Sequence, residues 1–146
     1  IDDHIKIAFR KILENKKNRK ELEEYLSQNR ENFSNQTFAE LLEQTLKENK
    51  VSKADAIKRS DLENHYAYEI FRGTKDKNLS RNKIIMLCIG MEADLEQTRK
   101  LLLKKHYAPL YTKDERDSIV IFGLQRKLSI IDINNLLYDK GFEILE

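Results

Sequence analysis

Asn64, His65, Tyr68 and Glu69 stand in the stretch SDLENHYAYEIFRG, residues 60–73, at a spacing that places all four on one polar side of an α-helix. Each has a chemistry in a DNA groove. Asn pairs bidentately with adenine, His and Tyr donate to a base edge or stack on it, and a carboxylate accepts from cytosine N4. Glu69 is the awkward member, because a negative charge among phosphates costs energy at every other base. Just downstream, Arg72, Lys75, Lys77, Arg81 and Lys83 against Asp76 give a local charge of +4 across twelve residues, a patch suited to phosphate. The whole chain carries only +2. The excess is central: residues 51–83 hold 8 basic and 5 acidic side chains, whereas the part before holds 10 and 10 and the part after 9 and 10.

Little else in the chain points to chemistry. His4, His65 and His106 are scattered, with no Cys or carboxylate at the spacing of a zinc site, so no metal is expected. There is no phosphate-binding Gly loop, strained nucleophile turn or dinucleotide fingerprint. Acid pairs such as Glu23 with Glu24 lie among lysines, the pattern of a solvated helix face. Neither catalysis nor a cofactor is expected. The single Cys88, within IIMLCIG, allows no intramolecular disulfide and fits a buried thiol in a reducing, cytoplasmic setting.

The elements that must position the polar face follow from composition and period. With 36% of its residues charged, four Gly and one Pro, the chain favours long helices over a turn-rich sandwich and reads as all-α. Ile5, Ala8, Phe9, Ile12 and Leu13 recur at helical spacing; ENKKNRK then interrupts as a basic elbow before Leu22, Tyr25 and Leu26 resume the period. A third helix covers 37–49, with Phe38, Leu41, Leu42 and Leu46 on one stripe. Ser52 caps a short helix to about residue 59, and Ser60 or Asp61 opens the next, so two brief helices meet across a very short turn. Gly73 closes the second of them. Ser80 caps a nearly all-apolar helix through Ile84, Ile85, Leu87, Cys88 and Ile89, which belongs at the centre and should stop at Gly90. Residues 94–105 carry Leu95, Thr98, Leu101 and Leu102 on one face before the pattern breaks at Pro109. The β-branched run at 119–121 would suit a buried strand, but acidic residues before it, basic ones after it and the lack of a partner strand favour helix. The last helix is capped by Ser129 and closed at Gly141.

From 52 to 73 the spacing of small, apolar and polar residues resembles the phage-repressor-like, or XRE-type, helix-turn-helix family, over 22 residues without a gap. LSRNKIIMLCIGMEADLEQTRKLL is similar to that family's fourth and fifth helices. Ala56 and Ile57 stand at the small–apolar pair of the first motif helix, Leu62 at the apolar turn position, and Ala67 with Ile70 on the core side of the recognition helix. Two positions depart. Asp61 stands where Gly is usual, a residue that visits left-handed backbone more readily than most. Glu63 stands where Ser or Thr usually caps, which allows a helix starting one turn earlier, with Ser60 and Glu63 as a capping box. The resemblance implies that Asn64, His65, Tyr68 and Glu69 read bases. It also implies that Lys53, Arg72, Lys75, Lys77, Arg81 and Lys83 touch phosphates, since the loop after the recognition helix lies along the DNA backbone.

The expected organisation is an N-terminal helical extension over 1–36, a repressor-like domain over 37–105 and a C-terminal helical extension over 106–146. The expected function is that of a transcriptional regulator reading duplex DNA with the helix at 63–72. The alternative is an interaction module of the same fold, a regulatory adaptor or antitoxin-like partner that binds no DNA, as the acidic Glu63 and Glu69 permit. Operators read by such helices need two copies, so a homodimer is expected. Its surface is placed on the C-terminal helices, where Ile119, Phe122, Ile130, Ile133, Leu137 and Phe142 exceed what one stripe needs; a protein partner on the flanking helices is the other use of that surface. Apolar runs such as 119–124 fall far short of the roughly 18 residues that span a bilayer, so no membrane is expected. Initiator Met is normally trimmed only before small residues, so a chain beginning at Ile1 is expected to be a piece of something longer.

Overall fold

Short polar side chains just ahead of apolar periods decide where the helices of this chain begin. A computed structural model describes residues 16–28, 35–75 and 77–146, and the described residues form eight helices and no strand. The chain divides into two units, Ile1–Asn35 and Gln36–Glu146. The described element of the first is α1, Lys16–Gln28. The helix expected around 5–13 lies outside the described residues. The basic elbow is not a break where it is described: residues 16–20 are the opening of α1. Lys and Arg are good helix formers, and a polar run facing water need not interrupt a helix.

The second unit holds α2 (Phe38–Asn49), α3 (Lys53–Ser60), α4 (Asn64–Arg72), α5 (Arg81–Gly90), α6 (Leu95–Lys104), α7 (Glu115–Gln125) and α8 (Ile130–Asp139). Thr37, Ser52, Ser80, Asp94, Asp114 and Ser129 each accept from the amide three residues on, opening α2, α3, α5, α6, α7 and α8. Residues 84–90 of α5 are all buried, as a helix without a polar side must be. Each large aliphatic side chain sequestered there contributes about 1.5–3 kcal/mol. α5 packs on α3 and α6, α2 lies on α4 and α6, and the α7–α8 pair joins through α6. Cys88 is enclosed in this layer, where burial pushes its thiol up to about 12 against a weaker opposing hydrogen bond with Thr98. Thiolate chemistry is thereby suppressed.

α5 stops at Gly90, as expected, and the chain then turns at Met91 and Glu92, whose φ is 55°. The glycine also serves close approach: a Cβ there would lie 2.2 Å from the Ala56 carbonyl oxygen of α3. α6 ends at Lys104 and turns at His106, φ 63°, ahead of Pro109.

Residues 106–146 belong to the same unit as α2–α6. The run at 119–121 is helical. Ile130, Ile133 and Leu137 are buried, and Ile119 and Phe142 are half-buried against the core. Of the six residues expected to form a dimer surface, Phe122 alone is exposed, at 41%. Much of the apolar surplus is absorbed within the chain, because α7 and α8 cover each other and α7 packs on α6, but Ile131 and Tyr138 of α8 stay exposed, at 68% and 76%. No helix among the described residues is long and apolar enough to cross a membrane.

Candidate nucleic-acid interface

α3 and α4 are joined by three residues, Asp61, Leu62 and Glu63. Ser52 Oγ accepts from the Asp55 amide at 3.1 Å to start α3. At its end Asp61 takes a left-handed conformation, φ 58° and ψ 18°, the geometry for which Asp substitutes tolerably for Gly. The capping box between Ser60 and Glu63 does not form. Ser60 is the buried last residue of α3; its hydroxyl donates to the Ile57 carbonyl at 2.6 Å and accepts from the Leu62 amide at 3.3 Å. Glu63 caps α4 by itself, accepting from the amides of His65 at 2.9 Å and Tyr66 at 2.7 Å. The Tyr66 amide, then the His65 amide, hold the Glu63 carboxyl below the usual carboxylate range. Gly73, φ 83°, ends α4.

α4 turns Ala67, Ile70 and Phe71 into the core. Its other side carries the four residues expected to read bases. Asn64 and His65 are exposed in the first turn, Tyr68 is half-buried and packs on the core edge, and Glu69 is partly covered. His65 Nε2 lies 3.0 Å from one Glu69 carboxylate oxygen, and Lys75 Nζ lies 4.0 Å from the other. The carboxylate that looked awkward among phosphates therefore has a partner at each oxygen.

The six residues expected on phosphates separate into three environments. Lys53 pairs with Glu43 and lies 5.6 Å above the Phe71 ring. Lys83 lies 4.8 Å above the Tyr66 ring. Both rings belong to α4, so each lysine is held against that helix by a cation–π contact. Arg72, Lys75 and Lys77 are exposed at and beyond its C-terminal end. Arg81 points elsewhere: Nη1 and Nη2 engage Asp117 at 3.1 and 2.9 Å, Nε donates to Ala108 O at 3.1 Å, and Nη2 donates to Pro109 O at 3.2 Å. With its donors fixed on the C-terminal segment, Arg81 leaves the phosphate set. Sequence could not give this pairing, because Asp117 lies 36 residues away.

Tyr66 and Phe71 are the residues that sequence reasoning passed over. At about 100° per residue, five positions separate them by about 140° around α4 on the core side, and the exposed arc from Asn64 through Tyr68, Arg72 and His65 to Glu69 lies between them. Their position at the two margins of a polar arc was readable from the helical period once the start of α4 was fixed. No protein-family model, curated protein or solved structure shows a significant match to this chain.

Proposed function

We propose that the chain binds duplex DNA as a sequence-specific transcriptional regulator, with the polar arc of α4 in the major groove. One observation carries the reading. The arc is bordered on one side by Lys53 over Phe71 and on the other by Lys83 over Tyr66, so cations from two neighbouring helices flank α4. A groove presents base edges between two rows of phosphates, and a polar helix face between two cationic margins is its complement. Lys75 and Lys77 extend the cationic border past Gly73. Asn64 and His65, in the first turn, take the position from which such helices reach base edges.

The test is the salt dependence of binding to a mixed-sequence duplex. If Lys53 and Lys83 each neutralise a phosphate, replacing them by Gln should lower the slope of log K against log salt by about 0.9 per lysine. A slope identical to that of the wild type removes the two lysines from the interface. Absence of duplex affinity at low salt, where the electrostatic contribution is largest, overturns the reading and leaves α4 to a protein partner.

A further inference from the structure

We infer that Arg72 is a base-reading residue that selects guanine, and not the phosphate anchor its place in the basic run implies; the inference rests on the duplex-binding reading above. At about 100° per residue Arg72 falls near the middle of the exposed arc, between Tyr68 one turn back and His65 two turns back. The margins of that arc belong to Lys53 and Lys83, and the border beyond Gly73 to Lys75 and Lys77. A residue in the centre of the arc faces the floor of a groove, where base edges lie, when the margins face its walls.

Arg72 is also uncommitted within the described fold. It is exposed, and its guanidinium makes no hydrogen bond, ion pair or ring contact with any described residue. A partner stands close by in the chain, because Glu69 is three residues earlier, a spacing at which helical ion pairs form. Glu69 instead faces His65 and Lys75. Arg81 is the opposite case: that side chain has four hydrogen bonds within the fold, whereas the donors of Arg72 have no acceptor among the described residues. A guanidinium is a planar fork of donors that matches the O6 and N7 acceptors of guanine, and this is the commonest specific contact in the major groove. Its long stem carries the fork outward from the last turn of α4.

The two roles are separable because a phosphate contact carries no sequence information. Wild type, Arg72→Ala and Arg72→Gln are each used to select duplexes from a random pool, after circular dichroism confirms that they fold. The wild type should enrich a fixed guanine at one position. Arg72→Ala should leave that position unselected. Arg72→Gln should replace the guanine by adenine, whose N6 and N7 match a carboxamide, with a change in base ratio of about tenfold and the other positions retained. If all three proteins select the same sequences, and Arg72→Ala only lowers the salt slope by about 0.9, Arg72 touches a phosphate and the inference is overturned while DNA binding stands. A wild type that binds duplexes without enriching a guanine also overturns it. A wild type without duplex affinity overturns both readings.

Discussion

Arg81 and Asp117 meet in a two-pronged ion pair, 3.1 and 2.9 Å between donors and oxygens, that ties the first residue of α5 to the C-terminal segment. Asp117 also accepts from the Tyr111 amide at 3.0 Å, and nearby Arg116 reaches from α7 to Asn82 Oδ1 at 3.1 Å and to Glu143 O at 2.9 Å. The C-terminal segment is thus fastened where the loop carrying Lys75 and Lys77 enters α5. Tyr107 adds a hydrogen bond to Leu79 O at 2.8 Å. Burial pushes the Asp117 carboxyl up, but the Arg81 hydrogen bonds, the Tyr111 amide and the charges of Arg81 and Arg116 outweigh it and leave the group below its usual value.

A carboxyl whose folded-state pKa is depressed stabilises the fold fully above its unfolded value and loses that contribution as pH falls through the folded one. Asp117→Asn should therefore cost about 2–3 kcal/mol at pH 7, the range for a charge-assisted pair with little exposure. The gap between variant and wild type should narrow once pH drops below about 4. Urea unfolding at neutral pH and at pH 3 checks both statements. A gap independent of pH would show that the destabilisation came from packing and not from charge.

Glu69 provides a second test, one that separates DNA from a protein partner. Glu69→Gln removes a negative charge from the polar arc and releases His65 and Lys75 from it. Non-specific duplex binding should tighten several-fold at low salt, and the gain should shrink as salt screens it. A basic protein partner would bind the variant less well. Titration of a mixed-sequence duplex at two salt concentrations gives the sign, and weaker binding by the variant would contradict a groove-seated α4.

Local signals in this chain were legible and distant ones were not. Ser52, Ser80 and Ser129 announce helix starts because the bond that makes a cap reaches only three residues. The central place of α5 follows from its lack of a polar side. Asp61 and Gly73 mark the ends of α3 and α4 through their left-handed backbone. Ser60 misled because it has the chemistry of a cap, yet its hydroxyl is drawn back to Ile57 by burial at the end of α3. Arg81 misled for a different reason: a basic run along the sequence is not a basic run in space, and Asp117 reaches it only through the fold. Gly90 marks the end of α5 as its sequence position suggests, but its close approach to Ala56 becomes visible only through the fold.

Assembly divides in the same way between what is local and what is not. The C-terminal apolar residues invited a homodimer, but Ile130, Ile133 and Leu137 are enclosed within one chain and Phe122 is the exposed member of the set. Arg126 stacks on the Phe122 ring at 3.8 Å, covering part of that face with a cation. Phe122 so covered, with Ile131 and Tyr138 exposed on α8, offers a second copy less apolar area than a stable dimer buries. The free chain is expected to sediment as a monomer at micromolar concentration, with any pairing of copies arising on DNA from adjacent half-sites. Phe122→Asp should then leave mass unchanged and cost about 1–2 kcal/mol, from the partial burial and the cation–π stacking that the ring supplies. Ile133→Asp, which places a charge in the core, should cost well above about 4 kcal/mol and unfold the protein. Sedimentation and thermal melting of the three proteins decide the matter: a wild-type dimer that Phe122→Asp converts to a folded monomer would restore the C-terminal interface and refute the monomer.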